Sequence, residues 1–410
     1  MTEIVDWLQT THGQEAIDLA IRTRKATSDP LVLASTLERQ LGLPSTYRAA
    51  AALQADLRER LVARWGDAPR WLLTRDGIEQ ATHPIVRNWR AKRLTDLNVT
   101  RVADLGCALG FETASFAEAG ISVRAVERDI ETAAIATMNL TSHDARVDVF
   151  DVVEDPDALN AVLADVDAIF VDPARRDVNA PKSVDGASGG RVTQPEDWSP
   201  SWSWVVGLAQ QHPNLVAKVA PGIDHELLPH DSQTVWFSIK NVLVEASVWF
   251  NGFGLSPQRV AIAVDRHGDF AELDSAAPTS DHVGNIEKFI MDPAPSVTRA
   301  GLVQHLAALT GAHLIDSHLG YLSCAKEPAD SPLYATYEVV ETLKFDEKKI
   351  AAALSRIGAR DVQVSGRGHR IDTDALTKKL KKELAGDKVI SVLLARIGDD
   401  VTVALTQRIN

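Results

Sequence analysis

The chain is poor in sulfur: its 410 residues hold two cysteines, Cys107 and Cys324, and three methionines. Two isolated thiols build neither a disulfide scaffold nor a zinc framework, so no metal is expected and a reducing cytoplasm is the natural setting. Long apolar runs are missing too. No window of eighteen consecutive apolar residues occurs, which argues against a membrane span. The first residues, MTEIVDWLQT, lack the basic segment and apolar run of a signal peptide. No internal repeat or extended low-complexity tract is found, so a solenoid is not expected.

What is present is the composition of a soluble globular protein, with 45% apolar and 24% charged residues. The length predicts two or three domains rather than one core. A net charge of −13 argues at first against a nucleic-acid partner, but it is unevenly spread. Residues 331–410 hold 14 Lys and Arg against 11 Asp and Glu, a net of +3, while the remainder holds 29 against 45, a net of −16. The split marks a separate C-terminal module with room for a basic face.

Three regions follow from the texture. Residues 1–85 form a helical N-terminal region, where STYRAAAALQADLRERLVARW predicts a helix capped by Ser45 with Leu53, Leu57 and Leu61 on one face. Residues 86–330 form the core. Here RVADLG, SVRAVERD, RVDVFD, DAIFVDP and NLVAKVAPG are short apolar runs ending in polar or glycine positions. With ETASFAEAG and IETAAIATMNL as helices between the first three, they predict parallel βαβ units in a doubly wound α/β fold. VLVEASVWFNGFG and RVAIAVDRHGDF are expected to close the sheet as an antiparallel pair. Residues 331–410 form a small α/β domain. It has a strand in ATYEVVETLKF, a helix capped by Asp346, a strand in DVQVSGRGHRI, a helix in DTDALTKKLKKELAG and a final hairpin around Gly398–Asp400.

Chemistry concentrates where core strands end. VADLGCALG puts Asp104 at a strand end and Gly106, Cys107 and Gly110 in the following turn. A dinucleotide site needs G-x-G-x-x-G, and position 108 is alanine, so NAD is disfavoured. D-x-G-x-x-x-G suits a ligand that needs close backbone approach but brings no pyrophosphate, as S-adenosylmethionine does. Glu127 ends the second run, at the spacing where an acid bonds ribose hydroxyls. Asp151 ends the third, where a carboxylate accepts an adenine amino group. Asp172 ends the fourth.

The set DLGCALG, VERD, FDVVED and VDPARR resembles the class I S-adenosylmethionine-dependent methyltransferases, with a Rossmann-like core. TRDGIEQAT, DPARR, VEASVWF, AGLVQHLA, GYLSCAKEP and VSGRGHRIDTDAL narrow the resemblance to a bacterial family with a C-terminal THUMP-like domain, over most of residues 70–410. The resemblance implies methyl transfer, with RNA as the expected substrate and partner through the C-terminal module. It also promotes Gln80 and Thr82 to cofactor contacts. One departure stands out: members carry CCGIGGD where this chain has GCALGFE, so Glu112 occupies the position of the family acid.

Asp172, Pro173 and Arg175 are the expected acceptor site. Methyltransferases of exocyclic base amines often place an acid or amide, two prolines and an aromatic ring here. This chain keeps Asp172 and Pro173 but has Ala174 and Arg175, and arginine can stack on a base or grip a phosphate. DPAR is also similar to RNA uracil-5-methyltransferases, but their nucleophilic cysteine follows the next strand, and Cys324 lies about 150 residues downstream. Trp198, Trp202 and Trp204 are expected to anchor a long loop or stack on a base. Lys218, Asp224 and Glu245 suit buried ion pairs. Lys378, Lys379, Lys381, Lys382, Arg367 and Arg370 form either a phosphate-binding face or a solvated one. Methylation of a protein or small molecule, or cofactor binding without turnover, remain the alternatives.

Overall fold

The computed structural model describes residues 2–174, 194–256 and 258–409, so Arg175 and most of the loop after Pro173 lie outside the described residues. The chain divides into two compact units, residues 1–219 with 249–254, and residues 220–248 with 255–410.

The first unit opens with four helices, Thr2–Gln9, Thr11–Ala26, Pro30–Leu41 and Ser45–Trp65. The fourth buries Ala51, Gln54, Ala55, Leu57, Arg58 and Leu61. Leu53 is instead 42% exposed, because a spacing of four drifts about 40° per step around a 3.6-residue helix and leaves the buried stripe. Pro44, not Ser45, holds the cap position. Five strands follow: β1 Arg101–Leu105, β2 Ser122–Glu127, β3 Ala145–Val149, β4 Ala168–Val171 and β5 Leu215–Val219. They lie in the order β3-β2-β1-β4-β5, and every recorded pair is parallel. The helices Phe111–Glu118, Ile130–Asn139, Pro156–Leu163 and Trp202–Gln211 provide the crossovers. The order reverses between β1 and β4, and a ligand crevice forms beyond the carboxyl ends of strands at such a switch point.

The second unit holds β6 Gln233–Ile239, β7 Val242–Trp249 as far as Val248, β8 Arg259–Val264 and β9 Phe270–Asp274, in the order β7-β6-β8-β9. The expected pairing of VLVEASVWF with RVAIAV is therefore corrected: β6 lies between them, parallel to β8. QTVWFSI escaped notice because its polar residues suggest exposure, whereas all seven are buried. Ser238 Oγ lies 2.7 Å from Ser296 Oγ, and Trp236 Nε1 donates to Pro221 O at 3.3 Å, so the polar atoms are satisfied inside.

The unit ends in a second sheet. Its strands are β10 Phe289–Pro293, β11 His313–Leu314, β12 Leu322–Cys324, β13 Tyr334–Lys344, β14 Ala359–Arg367, β15 Lys388–Ile397 and β16 Asp400–Arg408, in the order β11-β12-β10-β13-β16-β15-β14. Helices Glu347–Ile357 and Thr373–Leu380 pack Ile350, Leu354, Leu376 and Leu380 against Val362, Ile390, Val392 and Leu405. Asp346 caps the first helix, accepting from the Lys348 and Lys349 amides. The second helix is shorter than its leucine spacing predicts, with Leu384 in extended backbone. Beyond it the chain packs Gly386 against Gly358, where a Cβ would lie 1.9 Å from the Gly358 carbonyl oxygen.

No helix among the described residues is long and apolar enough to cross a membrane. No group of three or more His, Cys, Asp or Glu among them could hold a metal ion.

Candidate active site

Everything the sequence assigns to the site, Arg175 apart, lies in the first unit. At the end of β1 the chain turns sharply. The Gly106 and Cys107 amides both donate to Val126 O on β2, at 2.9 and 3.0 Å. Gly106 (φ +90°) and Gly110 (φ +87°) take conformations that side chains rarely adopt. Ala108 also sits at positive φ, +49°, at a cost of about 1–2 kcal/mol. Its amide is held by Glu127 Oε2 at 3.1 Å, and the Asp129 amide donates to Oε1 at 3.0 Å. The acid ending β2 thus clamps the glycine turn. Burial raises the Glu127 pKa, and these two amide bonds oppose the rise.

Asp104 is buried beneath the turn. Thr113 Oγ1 donates to its Oδ2 at 2.5 Å, while Oδ1 is buried without a hydrogen-bond partner. Desolvation, with Glu112 and Asp172 nearby, lifts its pKa to about 7. Glu112 pairs with the buried Arg90, whose guanidinium also stacks on Phe170. The residue at the family-acid position therefore forms a buried ion pair. Burial pushes the Cys107 thiol up, which disfavours the nucleophilic thiolate.

The remaining acids join the same rim. Asp151, just past β3, accepts from the Val153 amide at 2.9 Å and from Arg128 at 3.4 Å. Arg128 also donates to Ser199 Oγ at 3.0 Å, and Ser199 exchanges backbone hydrogen bonds with Ala174. Asp172, just past β4, has its carbonyl oxygen 3.4 Å from where a Cβ on Gly106 would lie. Its Oδ2 accepts from Lys218 Nζ at 2.7 Å, and Lys218 donates also to Gln80 O at 3.2 Å. Gln80 is exposed and meets the site through its backbone, whereas Thr82 is buried. Trp198 and Trp202 are buried against each other, and Trp202 against Phe250, so they anchor the segment that returns to Ala174.

Reasoning from sequence missed three residues here, and it gave Lys218 a buried ion pair without naming Asp172 as the partner. The signal for Lys218 is a cation inside the wholly buried run LVAKV. Arg128 had none. Ile130, three residues after Glu127, is 74% exposed, and Val153, two after Asp151, is 44% exposed. Their apolar side chains flank the two acids without cover.

A family described as THUMP domain-like matches residues 335–408. An uncharacterized S-adenosylmethionine-dependent methyltransferase of Mycobacterium tuberculosis strain CDC 1551 is 30% identical over 353 residues, covering 83% of this chain and 91% of that protein. The chain belongs to the S-adenosylmethionine-dependent methyltransferases. The protein of that description from strain H37Rv matches equally. The crystal structure of a protein assigned as a methyltransferase, from Porphyromonas gingivalis W83, superposes with a TM-score of 0.70 at 18% identity. That match covers 97% of this chain and 98% of the other, so the fold is shared end to end.

The methyltransferase's residues fit the cofactor. Asp104 Oδ1, buried and unbonded, suits the ammonium of a methionine tail. The glycine turn admits close backbone approach, Glu127 ends β2 where ribose hydroxyls bind, and the uncovered Ile130 and Val153 suit the faces of a purine. The basic tail is less open than its composition suggests. Arg367 pairs with Asp292 at 2.7 Å and stacks on Tyr321, Lys379 pairs with Glu347, and Lys381 pairs with Asp361 at 2.8 Å. Arg367 is thus a structural residue, while Lys378, Lys382 and Arg370 remain exposed.

Proposed function

We propose that this methyltransferase acts on RNA in the cytoplasm, at an acceptor atom held beside Asp172 and Pro173. The observation that carries the acceptor site is the position of Asp172, at the tip of β4 with its carbonyl facing the Gly106 turn. S-adenosylmethionine supplies an electrophilic methyl group on a sulfonium. Asp104, Gly106, Cys107, Gly110, Glu127 and Asp151 hold it in this reading, with Gln80 and Thr82 closing one side. Transfer of this kind depends mainly on positioning and on keeping water out. Asp172 orients the acceptor's hydrogen, the Pro173 ring stiffens the turn, and Arg175 stacks on a base or grips a phosphate.

RNA is favoured by the THUMP domain-like match at residues 335–408 and by the net positive charge of residues 331–410. The reading keeps three functional regions: 1–85 as a helical N-terminal region, 86–330 as the catalytic core and 331–410 as the RNA-binding domain. Tritiated methyl transfer to RNA, protein and metabolite fractions from cells lacking the protein tests it. Label in RNA is the expected result; label confined to another fraction rejects the RNA substrate. Thermal-shift titration is the companion test. S-adenosylmethionine should raise the melting temperature where NAD does not, since only a ligand of the native state stabilises it.

A further inference from the structure

Lys218 is the fourth residue of a strand whose five residues are all buried, and its side chain is 7% exposed. An ammonium in such a place costs several kcal/mol unless charge and hydrogen bonds compensate. Here it reaches Asp172 Oδ2 at 2.7 Å and Gln80 O at 3.2 Å. The Asp172 side chain is 26% exposed, so the pair turns its carboxylate outward and keeps its ammonium behind. The charged and titratable groups around it are Lys218 on β5 and Asp104 on β1, with the Arg90–Glu112 pair beyond Asp104.

Building on the reading of Asp172 as the acceptor-side residue, we propose that Lys218 is a positioning residue for methyl transfer. Its ammonium holds Oδ2 so that Oδ1 meets the hydrogen of a neutral N–H or O–H acceptor. An anionic acceptor such as a carboxylate would face Asp172 across a short gap and be repelled, so the chemistry selects an uncharged donor. As the acceptor's lone pair bonds to the methyl carbon, the carbon–sulfur bond breaks with its electrons going to sulfur, and the displaced proton passes to Asp172 Oδ1. The second bond, to Gln80 O, ties this carboxylate to the segment that leads to Thr82. Loss of the lysine therefore misplaces the carboxylate rather than removing it.

The test compares K218M, K218R, D172N and K218M/D172N in tritiated methyl transfer to whichever fraction the wild type labels, with S-adenosylmethionine affinity measured by calorimetry. The expected result is a fall in kcat of about 100-fold for K218M, the size a misplaced group produces. The KM for the labelled fraction should stay within about threefold and the cofactor Kd should change far less than kcat, because Lys218 meets the cofactor side only through the Gln80 carbonyl. K218R should recover at least about tenfold, and K218M should add less than about twofold to D172N, since both act through one carboxylate. A kcat for K218M within about threefold of wild type overturns the proposal, as does full additivity with D172N. Should K218M fail to bind the cofactor, K218Q is judged by the same criteria. Wild-type rates in D172N would instead reject Asp172 as the acceptor-side residue. Absence of label in every fraction would reject turnover and this proposal together.

Discussion

Asp104 makes the site sensitive to pH. Burial disfavours the charge and lifts its carboxyl to about 7 in the folded protein, against the ordinary value of 3.8. Between those values the native state keeps a proton that the unfolded chain has released. This group's contribution to stability therefore declines as pH rises from about 4 to about 7 and is flat above, with a limiting slope of about 1.4 kcal/mol per pH unit. D104N should remove that slope, seen as a smaller change in urea midpoint between pH 5 and 7 than in the wild type. A ligand ammonium at Oδ1 favours the ionised form, so S-adenosylmethionine should bind more tightly as pH rises to about 7 and then level off. Calorimetry across that range, with D104N as the flat control, checks this. The neighbouring turn has a steric requirement. G106A places a side chain at φ +90°, costing on the order of 1–3 kcal/mol, and should weaken the cofactor at least about tenfold, measured by the same titration.

At the scale of elements, strand ends and turns were legible because their chemistry is local. A glycine turn after an apolar run, an acid at each strand tip, and Asp346 before a helix with Gly358 after it need no distant partner to be recognised. β6 was hidden because alternation and polarity describe a surface strand, and its serine and glutamine are satisfied only by residues distant in sequence. The tryptophan-rich segment was half legible. Its Gly, Pro and Ser content marks a loop, but Trp202 opens the helix Trp202–Gln211 and is 3% exposed beside Trp198 and Phe250. W202A should lower stability by about 3–5 kcal/mol, as truncation of a buried ring does. A urea midpoint unchanged from wild type would contradict that burial.

For the whole molecule, the charge asymmetry is the feature most relevant to a nucleic-acid partner. Several of the basic residues are spent internally, Arg367 on Asp292 and Lys381 on Asp361, so the exposed Lys378 and Lys382 are the candidates for phosphate contacts. The K378E/K382E double variant should weaken binding of a single-stranded oligoribonucleotide. It should also flatten the dependence of log K on log salt by up to about 0.7 per lost contact, as anisotropy titrations from 50 to 200 mM salt would show. An unchanged slope would reject these two lysines as phosphate contacts.

The sequence by itself determined the α/β class, the run of strands and the acids at their tips, because hydrophobic period and turn chemistry act within a few residues of each other. Only the tertiary structure decided which charges meet. Lys218 and Asp172 are 46 residues apart, Arg90 and Glu112 are 22, and Arg367 and Asp292 are 75. Sequence spacing records nothing of distances across a sheet, and a buried charge finds its partner only when the chain has closed around both.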